Sequence, residues 1–97
     1  MDWAGERVQR IIPDGVLREL DIALDVGLRK HPEAEWSSDL ERIEYFQAMA
    51  RHLIAYLGGE LRCPIDGQHH LSAVAIRCAQ VIDKDIKDAE NPPELQR

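Results

Sequence analysis

The chain has 97 residues, 44% of them hydrophobic but with only two Trp, two Tyr and one Phe, and its formal net charge is −6. A chain this short forms one domain and buries about 60 to 65% of its unfolded surface, so the core is modest and made mostly of Leu, Ile, Val and Ala, which favours helices packed on helices. The negative charge is spread along the sequence, which argues against nucleic acid or an anionic membrane surface as a partner; a polyanionic ligand would need divalent cations, held by carboxylates, to reverse the local field.

No apolar run approaches the roughly 20 residues of a membrane span. Cys63 and Cys78 do not make the dense pattern of a small secreted scaffold, and no apolar signal region precedes them, so a reduced cytoplasmic setting is expected. No repeat of solenoid length and no low-complexity tract is present. The expected organisation is a single all-α domain over 1–97, with its core at about 11–88 and a polar, frayed tail at 89–97.

In chain order, the leading segment with Val8, Ile11 and Ile12 reads as a short helical turn or an extended arm lying across the bundle. Pro13 and Asp14 punctuate the start of a helix over 14–30, where Leu17, Leu20, Leu24 and Leu28 fall on one face. HPEAEWSS follows without periodicity, and Pro32 pushes His31 away from helical angles. Ser38 and Glu41 have the spacing of a capping box, opening a second helix with Leu40, Ile43, Phe46, Ala50, Leu53 and Leu57 at helical intervals. Gly58 and Gly59 stop it. ELRCPIDGQ, with Pro64 and Gly67, reads as a loop, and a third helix carries Leu71, Val74, Ala75, Cys78, Val81, Ile82 and Ile86. Packed antiparallel, the second and third helices are expected to share a core containing Leu53, Leu57, Val74 and Cys78. Three amphipathic helices leave apolar edges uncovered, so completion of this small bundle by oligomerisation, as a dimer or tetramer, is expected.

Four groups of residues carry candidate chemistry. Glu41 and Glu44, three apart at a helix start, can grip Mg²⁺ through oxygen ligands, although acidic residues also suit a first helical turn for the macrodipole alone. Arg51, two turns beyond Glu44, can pair with it or reach a phosphate, while His52 points elsewhere, toward Tyr45 and Tyr56. Glu60 and Asp66 flank the second loop, with His69 and His70 just after it, so that four polar groups can converge on a ligand; alternatively Asp66 caps the third helix and the histidines are solvated. Asp83 is too far along that helix to partner His70. Zinc on Cys63, His69, His70 and Cys78 is disfavoured, because their spacing fits no short ligand motif. Nor is there a glycine-rich phosphate loop or a nucleophile elbow.

The runs IPDGVLRELDIALDVGLRKHPEAEW, MARHLIAYLGGE and PIDGQHHLSAVAIRCAQVID, taken in order, resemble the phage and bacterial dATP/dGTP diphosphohydrolase N-terminal domain over roughly residues 11 to 85. The corresponding positions are Gly27, Lys30 and Trp36, then Arg51, His52, Gly59 and Glu60, then Asp66, His70, Leu71 and Ala75. The loop reads KHP where that family tends to KYG, and Ala73 stands in place of a second histidine. The resemblance implies an all-α, usually oligomeric hydrolase, akin to MazG-like pyrophosphatases, that splits a (deoxy)nucleoside triphosphate into monophosphate and pyrophosphate with Mg²⁺ or Mn²⁺. On that basis Glu41, Glu44, Glu60 and Asp66 are the expected metal ligands, His70 orients a phosphate or a metal-bound water, and Lys30 and Arg51 offset phosphate charge. The alternative is a noncatalytic nucleotide- or protein-binding module on the same scaffold.

Overall fold

The structure is a computed structural model that describes residues 4–36 and 40–90. Four helices follow one another: α1 (Ala4–Ile11), α2 (Asp14–Lys30), α3 (Arg42–Leu57) and α4 (His70–Glu90). Among the described residues there is no β-strand, only an isolated antiparallel bridge between Arg62 and His69. The leading segment is thus a helix, but Val8 and Ile11 stay exposed and it does not pack across the others. α4 continues through Glu90, two residues into the expected tail, and the rest of that tail lies outside the described residues.

Helix starts and stops follow local chemistry. The Pro13 carbonyl accepts from the N–H groups of Val16 and Leu17, opening α2, and His31 closes it by donating to Gly27 and Leu28 just before Pro32. Ser38 lies outside the described residues. The helix it was expected to cap begins later, with Glu41 as the N-cap and the Glu44 carboxylate accepting from the Glu41 N–H at 2.9 Å. Of the two glycines that end α3, only Gly59 takes a positive φ, 101°, which a side chain would oppose.

The long α4 is the centre, with α3 packed on one side and α2 on another. Tyr45, Met49 and Val81 form the tightest apolar cluster, with Leu40 and Val74 against it, and Ala73 is fully enclosed. On α2 the most buried residues are Ala23 and Val26; Leu20, Leu24 and Leu28 are half-buried and Leu17 is exposed.

The rotation of α3 departs from expectation. Val74 is half-buried, but Leu53 is 42% and Leu57 75% exposed, and Cys78 is exposed although its thiol lies 3.4 Å from the Met49 sulfur. Polar anchors at both ends of α3 explain this. Near its start Arg42 bonds Asp85 and Asp88 of α4, and near its end His52 meets His70. These contacts turn Tyr45, Met49 and His52 inward and carry the more apolar stripe, Ile43 to Leu57, outward.

Candidate functional site

The segment between α3 and α4 folds back on itself. Cys63 N–H donates to the Gln68 carbonyl, His70 N–H to that of Leu61, and Gly67 N–H to that of Cys63, with Gly67 at φ 78° making the turn. Arg62 ties this turn to α2 by a two-pronged pair with Glu19, at 2.9 and 2.7 Å, and the same guanidinium holds the Glu19 carboxyl below its ordinary pKa. Zipped in this register, the turn sets Glu60 beside the first residue of α4. His69, not Asp66, caps that helix: its ring Nδ1 accepts from the Leu71 N–H, and its carbonyl accepts from Ser72 and Ala73.

Three side chains form a relay across this corner. The Glu60 Oε1 lies 2.7 Å from His70 Nε2, and His70 Nδ1 lies 2.8 Å from His52 Nδ1. A carboxylate only accepts, so His70 Nε2 carries a proton. With one proton on each ring, His70 Nδ1 is then the acceptor and His52 Nδ1 the donor. That assignment leaves the lone pair of His52 Nε2 without a bond. Burial lowers the pKa of His52, and the neighbouring His70 and the positive charge of Arg77 act in the same sense, so the neutral, basic form prevails. His70, only 4% exposed and with both nitrogens engaged within the protein, is placed to hold His52 and not to touch a ligand.

Around His52 stand the charges of Arg77, Asp66 and Lys30, each close enough to act on its titration. Asp66 Oδ1 and Oδ2 accept from the backbone and side-chain N–H groups of Gln68 at 3.2 and 3.1 Å, an Asx-type turn, and Lys30 lies 3.9 Å away. Burial tends to raise the Asp66 pKa, but these bonds, the Cys63 thiol and Lys30 outweigh it and hold the carboxyl low. Gln68 is 1% exposed and its Oε1 has no hydrogen-bond partner.

Arg77 is the residue that the sequence reading left out of the site. It is half-buried, no carboxylate among the described residues pairs with it, and it makes a long contact of 3.5 Å to Gln80 Oε1. Burial lowers its pKa, and the nearby Arg51 charge acts in the same sense against an opposing effect of Tyr45. A half-buried guanidinium with no counter-charge is costly unless an anion arrives. The signal was available in the sequence: Arg77 lies two helical turns after His70, on the same face as the enclosed Ala73 and Val81.

Gly27 of α2 gives Arg77 its space. A Cβ there would stand 3.6 Å from Nη2, an ordinary contact, but 3.3 Å from Nη1, so that the guanidinium would have to give by a few tenths of an ångström. Gly27→Ala should therefore raise thermal stability by about 0.5 to 1 kcal/mol, through helix propensity, while weakening nucleotide binding severalfold. Parallel melting curves and nucleotide titrations test this, and unchanged affinity would remove Arg77 from the binding site.

The expected metal ligands do not converge. Glu44 caps α3, Asp66 holds its own turn, and Glu60 binds His70, while Glu41 and Glu44 stand at the opposite end of α3 from Glu60, about 24 Å away along a helix of that length. Among the described residues no group of three or more His, Cys, Asp or Glu is arranged to hold a metal ion. Within one chain this donor set does not fit a protein-held Mg²⁺. Lys30 and Arg51 remain on the same side as His52 and Arg77, with Arg51 exposed.

Some of the positions that carried the family resemblance lie together, Lys30 by Asp66 and His52 with His70 and Glu60, whereas Trp36 bonds Asp83 and Gln80 farther along α4. The family model described as dATP/dGTP diphosphohydrolase, N-terminal, matches residues 4–93. The chain belongs to that family. No curated protein and no solved structure matches it. In this dATP/dGTP diphosphohydrolase N-terminal domain the matched span covers all four helices, and none of the described helices is long and apolar enough to cross a membrane.

Proposed function

We propose that this domain binds the phosphates of a (deoxy)nucleoside triphosphate at Arg77, Arg51 and Lys30, and that His52 is the general base for its hydrolysis to monophosphate and pyrophosphate. The observation that carries the reading is Arg77: a half-buried guanidinium with no carboxylate partner among the described residues, close enough to the neutral His52 to act on its titration. In an acidic protein, Arg77 and Lys30 near His52, with Arg51 near Arg77, supply the local reversal of charge that a polyphosphate needs. Arginine adds directional bonds to phosphate oxygens.

In the step proposed, His52 Nε2 takes a proton from water as the water oxygen attacks the α-phosphorus. The bond from that phosphorus to the bridging oxygen breaks, and pyrophosphate leaves with the electron pair. Arg77 and Arg51 offset the charge that develops on the phosphate oxygens. His70 and Glu60 hold His52 in the tautomer that exposes Nε2, which is the positioning role of a base's own partner. Any Mg²⁺ or Mn²⁺ belongs in this reading to the triphosphate, as part of the substrate.

The test is a panel of nucleoside and deoxynucleoside triphosphates, with and without Mg²⁺ or Mn²⁺, read by pyrophosphate release and by melting temperature. Release with a rise in melting temperature is expected. A rise without release leaves a nucleotide-binding module, and neither effect with any triphosphate sinks the reading.

A further inference from the structure

Along α4 the residues Arg77, Gln80, Asp83 and Lys87 follow one another at intervals of three or four, so their side chains form one row on the helix. Trp36, in the segment that follows α2, is fastened to that row at two points. Its backbone carbonyl accepts from Gln80 Nε2 at 2.8 Å, and its indole N–H donates to Asp83 Oδ2 at 3.0 Å. Asp83 pairs in turn with Lys87 at 2.9 Å. With ring and backbone both tied to α4, the Trp36 carbonyl has a fixed direction.

That direction decides how Gln80 is turned. A carbonyl only accepts, so the amide must present Nε2 to it, and Oε1 then faces the other way. What Oε1 meets is Arg77 Nη1, 3.5 Å away, a group that only donates. Gln80 is 6% exposed and both ends of its amide are engaged, so it has neither a second orientation nor access to a ligand. Nη1 also runs close to Gly27, where a Cβ would stand 3.3 Å away. The space left around these groups, shared with Leu28, His31 and Leu40, is about 20 Å³, enough for one water molecule and too little for a phosphate. This end of the guanidinium is held and is not where a substrate enters.

An amide is the side chain that such a link requires. A carboxylate at position 80 would repel the Trp36 carbonyl and neutralise Arg77. An ammonium group would repel the guanidinium, and an apolar side chain would bond neither partner. A group with a donor at one end and an acceptor at the other joins a carbonyl to a guanidinium while leaving the positive charge uncompensated. A phosphate-binding arginine gains from orientation without neutralisation, because a side chain immobilised in advance loses less entropy when its ligand arrives.

We propose that Gln80, turned by the doubly tied Trp36, is a positioning residue for Arg77: it sets the direction of the guanidinium in advance and strengthens triphosphate binding without touching the ligand. This role rests on the reading that Arg77 meets phosphate, which tripolyphosphate binding to the parent chain checks by itself.

Tripolyphosphate titrated calorimetrically into the full chain should bind the parent. Gln80→Leu, similar in volume, should bind it about fivefold more weakly, within the net worth of one hydrogen bond, with the helical circular dichroism unchanged. Gln80→Glu, closer still in shape, should lose more, about 100-fold as for Arg77→Gln, because its carboxylate neutralises the guanidinium. A Gln80 that only packs would change the affinity in neither. In the ligand-free chain, side-chain NMR should show hindered rotation about the Arg77 Nε–Cζ bond. That rotation should become freer in Gln80→Leu and in Trp36→Phe, which removes only the indole bond to Asp83. Should Gln80→Leu lose its helical signal, Gln80→Glu and Trp36→Phe carry the same test. Gln80 variants that bind tripolyphosphate like the parent, or an Arg77 rotation that no substitution alters, would overturn the positioning role and leave the phosphate reading standing. A parent chain that binds neither tripolyphosphate nor any nucleoside triphosphate would sink the phosphate reading and this role with it.

Discussion

Arg77→Gln should weaken nucleoside triphosphate binding by about 100-fold, the worth of a charge-assisted pair of bonds to phosphate, and yet leave the fold at least as stable as the parent. The two halves of this expectation come from the same observation. In the free protein the guanidinium is half-buried, has no acidic partner among the described residues, and contacts Gln80 at the limit of hydrogen bonding. Removing its charge relieves a desolvation cost and gives up little else. In the proposed complex the same charge meets phosphate, and its loss should be felt in full. Calorimetric titration and thermal melting of the same preparation decide the matter. A melting temperature several degrees lower with unchanged affinity would make Arg77 a structural residue and end its assignment to the site.

His52→Asn should lower kcat by about 10²- to 10⁴-fold, the usual range for a general base, and leave KM nearly unchanged, because phosphate charge is met by Arg77, Arg51 and Lys30. The parent's pH profile carries an independent signature. Burial holds the His52 pKa below its ordinary 6.5, so the acid limb of the rate should fall below pH 6.5. Stability follows the same group. As pH drops through 6.5 the unfolded chain takes up a proton before the folded one does, so the stabilising contribution present above pH 6.5 is lost progressively as pH falls toward the lowered folded value. An acid limb at or above pH 6.5, or one that persists in His52→Asn, would mean that another group is the base. The relay also makes Glu60 a positioning residue: with its carboxylate gone, nothing on that side fixes which nitrogen of His70 carries the proton.

Much of this molecule was legible from one dimension. The absence of a strand pattern, the helix at 14–30 with proline before and after it, and the stop at Gly58 and Gly59 all rest on interactions between residues a few positions apart, which a sequence displays directly. The family resemblance belongs to the same class, since it depends on the order and spacing of short motifs, and the family model matches the chain over residues 4–93. Which of the apolar stripes of α3 faces inward was a different kind of question. Periodicity showed the Ile43 to Leu57 face and suggested burial, but the rotation of the helix is fixed by distant partners, Asp85 and Asp88 for Arg42 and His70 for His52, lying 18 to 46 residues away. The chemistry of the site divided in the same way. Sequence supplied the titratable groups near the second turn, whereas only the folded chain decided that His70 is enclosed, that Glu60 orients it, that Glu41 and Glu44 stand at the far end of α3, and that no described carboxylate pairs with Arg77. Local spacing determines which conformations a segment adopts. Long-range packing determines which polar groups are left without water or a partner, and the free energy of those groups is what makes a site.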